Sequence, residues 1–245
     1  MPHEQVIIPT ADGDCPTHVL TPDGTGPWPA VIFYMDGVAI RPTLVEMAAR
    51  LAGHGYVVLL PDMFYRFGPY TPLVPKEIFT LDFRAIVGPM MSTTNNQKAA
   101  EDTAGFLAYL DTRPDVAGPK IGTVGFCMGG GMALTAAGTY PDRVAAVASF
   151  HGGNLANDTP LSPHLLAPKI TAEVYIAGAD NDQSYPLDMA ERLDQALSDA
   201  GVRHVCEIYP GAAHGWMKPD FPIYNEAAAE RGWGEMLALF ERNLR

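Results

Sequence analysis

The segment Gly125-Phe126-Cys127-Met128-Gly129-Gly130 couples a possible nucleophile to residues that can hold it in a very sharp turn. An apolar run, residues 120–124, precedes it, and residues 131–137 follow with helical character. Cys127 therefore falls at a strand-to-helix elbow. A helix beginning there points free N–H groups and the positive end of its dipole at the sulfur, which favours thiolate over thiol. A thiolate that forms a covalent intermediate needs an imidazole within hydrogen-bond reach and a third group to orient that imidazole. His214, in Gly211-Ala212-Ala213-His214-Gly215, is the best-placed base, because small residues flank it just after an expected strand. His151, in Phe150-His151-Gly152-Gly153, is the main competitor and is read as a pocket-wall residue. His3, His18, His54, His164 and His204 fall at a terminus, a hairpin, a helix end, a loop and a strand start. The orienting acid is expected from the loop 178–186, where Asp180 and Asp182 both qualify.

Positioning these groups requires a scaffold, and apolar runs alternate with helix-period segments along most of the chain. Residues 6–8 and 17–20 read as an edge hairpin, and buried strands are expected at 30–35, 56–60, 121–125, 144–150, 172–177 and 204–209. Helices are expected at 44–53, 97–110, 130–139, 186–200 and 223–243. Such alternation predicts an α/β fold with a mainly parallel central sheet and helices on both faces, as one domain spanning 1–245. Residues 63–94 break the pattern with Pro69, Pro72, Pro75 and Pro89 among many aromatics and methionines. A lid-like insertion over the cleft is the expectation there.

Composition narrows the function. The chain of 245 residues carries a formal charge of −12, with no basic stripe for a nucleic-acid partner. Hydrophobic residues make up 47%, enough for a substantial core, yet no stretch reaches membrane-spanning length. Cys15, Cys127 and Cys206 are too few for a disulfide framework, and their spacing fits no zinc site. The first five residues lack the design of a secretory signal, so a cytoplasmic enzyme without metal or organic cofactor is expected. No exposed amphipathic stripe demands a partner, which suggests a monomer or weak homodimer.

The ordered set of motifs resembles the dienelactone hydrolase family of α/β-hydrolases. The resemblance rests on Gly125-Phe126-Cys127-Met128-Gly129-Gly130, the Asp-bearing loop before Pro186 and His214-Gly215-Trp216. It extends to Tyr34-Met35-Asp36-Gly37 and His54-Gly55-Tyr56-Val57-Val58. It implies a nucleophile, acid and base in that chain order, filled by Cys127, Asp182 and His214. Asp182 stands four residues before Pro186, as family loops have it; Asp180 is the reserve. The resemblance further implies an oxyanion hole from the Gly37 and Met128 backbone amides, and an acidic contact to the resting nucleophile at Asp36. Lys218 stands where relatives carry Arg, and implies a substrate anion contact; Arg84 is a second candidate, with Trp216 and His151 lining the pocket. The implied reaction is hydrolysis of a small ester or lactone through a thioester acyl-enzyme. Acyl transfer on the same residues, or a non-catalytic binding protein of this fold, are the alternatives.

Overall fold

The computed structural model describes residues 1–245. The chain begins with strands β1 (His3–Thr10) and β2 (Gly13–Leu20), then β3 (Trp28–Tyr34), helix α1 (Pro42–Gly53) and β4 (Val57–Pro61). Short helices α2 (Pro75–Ile78) and α3 (Phe83–Met91) precede α4 (Asn96–Asp111), β5 (Val116–Phe126) and α5 (Met128–Thr139). The remainder is β6 (Val144–Phe150), β7 (Glu173–Asn181), α6 (Leu187–Asp199), β8 (His204–Ala213) and α7 (Glu226–Leu244). Eight strands form one sheet in the order β1-β2-β4-β3-β5-β6-β7-β8. The β1/β2 and β2/β4 pairs are antiparallel and the rest are parallel. This is the α/β-hydrolase fold expected from the sequence.

Strand character follows burial. In β3 and β4 nearly every residue is buried, as required of parallel strands covered on both faces. Helices α1 and α7 lie against the sheet on one side, and Arg50 of α1 joins Glu230 of α7. Helices α4 and α5 pack together on the other. Most of α5 is buried, consistent with a helix at the centre of the molecule rather than an amphipathic surface helix. One contiguous core of 64 buried residues runs through both layers. No helix is long and apolar enough to cross a membrane.

Two features of the sheet position the site. Strand order reverses between β3 and β5, the kind of switch point where α/β sheets open a crevice beyond their carboxyl ends. The β7/β8 ladder also shifts register after Ala179↔Tyr209 and resumes at Asn181↔Ala213. Asp182 and His214 are therefore the next residues beyond a paired couple.

Residues 63–94 are not a plain loop. They hold a 3-10 turn at Tyr65–Phe67, then α2 and α3, the latter capped by Asp82, whose carboxylate accepts from the Ala85 amide. Ile78 and Val87 pack with Val38 and Phe221 in a small separate apolar cluster. Of the prolines that break the helical pattern in sequence, Pro75 opens α2 and Pro89 lies inside α3, while Pro69 and Pro72 lie in the coil before α2.

Candidate active site

Cys127 sits between β5 and α5 with φ 54° and ψ −116°, a conformation that typically costs a non-glycine residue about 1–3 kcal/mol. Its neighbours make the turn possible. A Cβ on Gly125 would lie 1.8 Å from the Gly129 carbonyl oxygen, and one on Gly129 would lie 2.4 Å from that of Tyr34. Any side chain at either position would drive the elbow apart. The same contacts bring the start of α5 against the end of β3. The amides of Gly37, after β3, and Met128, the first residue of α5, donate to no group in the protein. Two free N–H groups thus remain beside the sulfur's elbow.

His214 follows β8 and meets the residue after β7. Its Nδ1–H donates to Asp182 Oδ2 at 2.6 Å, and the Asp182 side chain is fully buried. The Ser184 amide donates to the other Asp182 oxygen at 2.8 Å, which fixes the carboxylate plane. With Nδ1–H committed to Asp182, Nε2 is left free for Cys127, which lies near enough to influence the ring. Burial pulls the imidazole pKa down, but the hydrogen bond to Asp182 and the nearby Cys127 outweigh it and push it up to about 10. The charged imidazolium is the form this favours. Asp180 lies elsewhere: it is exposed and accepts from the Gly211 amide at 3.1 Å, bracing the turn before His214.

Beneath the elbow lies a buried charge network. The Arg41 guanidinium donates to both oxygens of Asp36, at 2.8 and 2.9 Å, and to Asp220 at 2.5 and 3.2 Å. Asp36 also accepts from the Val38 amide, and none of its hydrogen bonds goes to Cys127. The expected contact between Asp36 and the nucleophile is replaced by this bidentate pair. Burial raises the Asp36 carboxyl pKa, but the charges of Arg41 and Lys218 hold it below its ordinary value.

Lys218 differs most from expectation. It is neither at the surface nor free for a substrate anion: its side chain is fully buried. The turn that carries it, closed by Lys218 N–H donating to the Gly215 carbonyl, directs the side chain inward. Its ammonium lies 3.5 Å above the Phe126 ring and 3.7 Å from Asp36. Burial pulls its pKa down to about 7, with Asp36 opposing that fall and Arg41 assisting it.

Two further expectations need correction, those for Trp216 and His151. Trp216 is core rather than pocket lining, wholly buried and stacked on Tyr209 at 4.5 Å. His151 is buried behind the site, 5.4 Å edge-on from His214, and neither of its ring nitrogens meets a hydrogen-bond partner. Burial and the nearby charges of His214 and Lys218 hold its pKa well below the usual imidazole range, so it is neutral. Arg84 is exposed on α3 and forms no ion pair.

Comparison with known proteins decides the family. Residues 15–244 match the model of the "Dienelactone hydrolase family". The chain belongs to the dienelactone hydrolase family. A Synechocystis sp. protein, provisionally named a carboxymethylenebutenolidase, is 28% identical over 243 residues, covering 98% of this chain and 96% of its own. The carboxymethylenebutenolidase of Rhodococcus opacus is 26% identical over 226 residues, covering 90% and 83%. A crystal structure of a Klebsiella pneumoniae protein, provisionally described as a dienelactone hydrolase, shares the fold at TM-score 0.83 and 24% identity, covering 98% of both chains.

Within this dienelactone hydrolase family chain, Arg41 and Asp220 went unread in the sequence. Arg41 looks like an ordinary residue ahead of the helix-opening Pro42, and Asp220 like a loop acid. The usable signal was chemical: Asp36 and Lys218 are charged residues in apolar surroundings, and buried charges need partners.

Proposed function

We propose that this dienelactone hydrolase family member hydrolyses small activated esters or lactones through Cys127, His214 and Asp182. The observation that carries the reading is the 2.6 Å bond from His214 to the fully buried Asp182, with Cys127 in a strained elbow near the ring. Asp182 fixes the imidazole tautomer and stabilises its charged form. Cys127 thiolate attacks the substrate carbonyl, and the oxyanion forms against the free amides of Gly37 and Met128. The intermediate collapses to a thioester and expels the alcohol or enolate, which is protonated from His214. Water, deprotonated by His214, then releases the acid and restores the thiolate.

Cysteine restricts the substrate. Thiolate leaves more readily than an alkoxide or an amide nitrogen, so the first intermediate reverts unless its other leaving group is good. An enol lactone or aryl ester meets that condition and a peptide does not. The cations near the site are already matched by carboxylates, Arg41 by Asp36 and Asp220, while Lys218 is buried beside Asp36. This favours an acyl group that carries no second carboxylate. Residues 63–94 act as the cover, with Met91 sulfur 3.4 Å from where a Cβ on Gly37 would lie.

The test is p-nitrophenyl acetate turnover with mass analysis of the Cys127 peptide. Wild type turns over and carries a trapped acyl group on Cys127 after acid quench, and Cys127→Ala does neither. Undiminished turnover by Cys127→Ala would refute the proposal.

A further inference from the structure

Outside the active site, the opposite end of β8 brings three metal-binding side chains together. His204 and Cys206 are two residues apart on this edge strand and so point to one face. Asp194 reaches them from α6. One ligand atom from each lies within 4.8 Å of the others. A tetrahedral site with bonds of about 2.0–2.3 Å needs ligand atoms roughly 3.3–3.8 Å apart, so a small rotation of the exposed Asp194 closes the set. The strand length between Cys206 and His214 is roughly 25 Å, which separates this cluster from the active site.

Two observations point to a cation. His204 Nδ1 is 2.7 Å from the Val202 carbonyl oxygen, which can only accept, so Nδ1 carries a hydrogen. In the neutral ring Nε2 then offers a lone pair, yet it faces Asp194 Oδ1 at 3.1 Å, a second acceptor. A cation held between the two would satisfy both acceptors. A ring nitrogen fixed by a backbone carbonyl, leaving the other for the metal, is also how metal-binding histidines are held. The second observation is Tyr185. It is 2% exposed and lines the same surface cavity of about 220 Å³ as Asp194, Cys206 and Glu191, and its hydroxyl has no hydrogen-bond partner.

We propose that Asp194, His204 and Cys206 form a binding site for a borderline-soft divalent cation of the zinc class, open to the Tyr185 cavity at its fourth position. The donor set argues for that class: one sulfur and one imidazole disfavour calcium and magnesium, which take oxygen. Binding replaces the Cys206 S–H bond with a sulfur–metal bond and releases one proton to solvent. The thiolate and carboxylate then neutralise the dication. A water in the fourth position finds the unpartnered Tyr185 hydroxyl and Glu191 close by. Cysteine spacing cannot reveal such a site, because only one of its ligands is a cysteine.

Cobalt(II) tests this in the Cys127→Ala background, which removes the competing active-site thiolate. One cobalt per chain binds with a sulfur-to-metal charge-transfer band, and equimolar zinc bleaches it. The band is absent in Cys206→Ser, and the surface change Asp194→Asn weakens cobalt binding by about 10-fold or more. In the unsubstituted chain zinc slows alkylation of Cys206 by iodoacetamide, read by peptide mass, so the result does not depend on Cys206→Ser folding. Absence of a band with cobalt, a band that persists in Cys206→Ser, or unprotected Cys206 would each overturn the proposal.

Discussion

Replacing Lys218 with methionine should make stability more dependent on pH between about 7 and 10. The ammonium is fully buried with its pKa pulled from 10.5 to about 7, so the unfolded chain binds a proton across that window and the folded chain does not. Stability from this group is complete above pH 10.5 and is lost as pH falls toward 7, a total of about 5 kcal/mol at about 1.4 kcal/mol per pH unit. At about pH 9.5 the loss is about 1.4 kcal/mol, and near pH 7 it is about 4.3 kcal/mol. His214 runs the other way. Its pKa is raised from 6.5 to about 10, so its contribution is complete below 6.5 and disappears as pH rises through 10. The two slopes oppose each other in the wild type, and its own pH profile is nearly flat between about 7 and 10. The difference between wild type and Lys218→Met removes the His214 contribution and isolates Lys218. Methionine fits the same space against Met47 and Phe126, and Asp36 keeps its bidentate partner Arg41. Urea unfolding of both proteins, near pH 7 and at about pH 9.5, should show the variant gaining about 3 kcal/mol more at the lower pH. A difference equal at both pH values, within about 0.5 kcal/mol, would mean that Lys218 titrates normally and the reasoning fails.

Arg41→Met should destabilise the protein by about 3–5 kcal/mol in the same assay, because it strands a buried carboxylate. Adding Asp36→Asn should recover more than half, and no recovery would place the damage elsewhere. Gly125→Ala should fold poorly or not at all, since its Cβ would overlap the Gly129 carbonyl; a soluble variant with wild-type esterase activity would contradict the elbow geometry. Asp182→Asn should lower p-nitrophenyl acetate turnover by about 10²-fold or more. It should also slow Cys127 alkylation by iodoacetamide at neutral pH, because the imidazolium beside the sulfur loses its partner. An unchanged alkylation profile would detach Asp182 from the site.

Sequence reasoning worked where chemistry follows from local order and weakened where it depends on the direction a side chain takes. The elbow was visible because a nucleophile between glycines, after a strand and before a helix, has few other conformations. His214 was visible because small residues surround it at a strand end. Lys218 was misjudged because its spacing from His214 says which turn carries it but not that the turn directs it inward. Asp36 was assigned to the sulfur on the family resemblance, and Arg41, five residues on, has no apolar periodicity to announce the burial that takes Asp36 instead. Strand ends were underestimated for a related reason. β5 starts at Val116, before Gly118 and Pro119, and β8 runs on to Ala213. Those extensions are held by neighbouring strands rather than by their own composition.

The shifted register at the end of β7 and β8 has a consequence for how this scaffold can change. Asn181 opposite Ala213 acts as a clamp placed immediately before Asp182 and His214. The spacing of Asp182 and His214 is thereby inherited from main-chain pairing, leaving the loops after them free to lengthen. Insertions after Pro186 or after Lys218 could reshape what enters the crevice while the proton-handling pair stays in place. A single residue inserted before Asn181 or before Ala213 would slide one partner past the other and abolish the pair. Change in the loops and constancy of the Asp182–His214 pair are thus kept apart by one rung of the sheet.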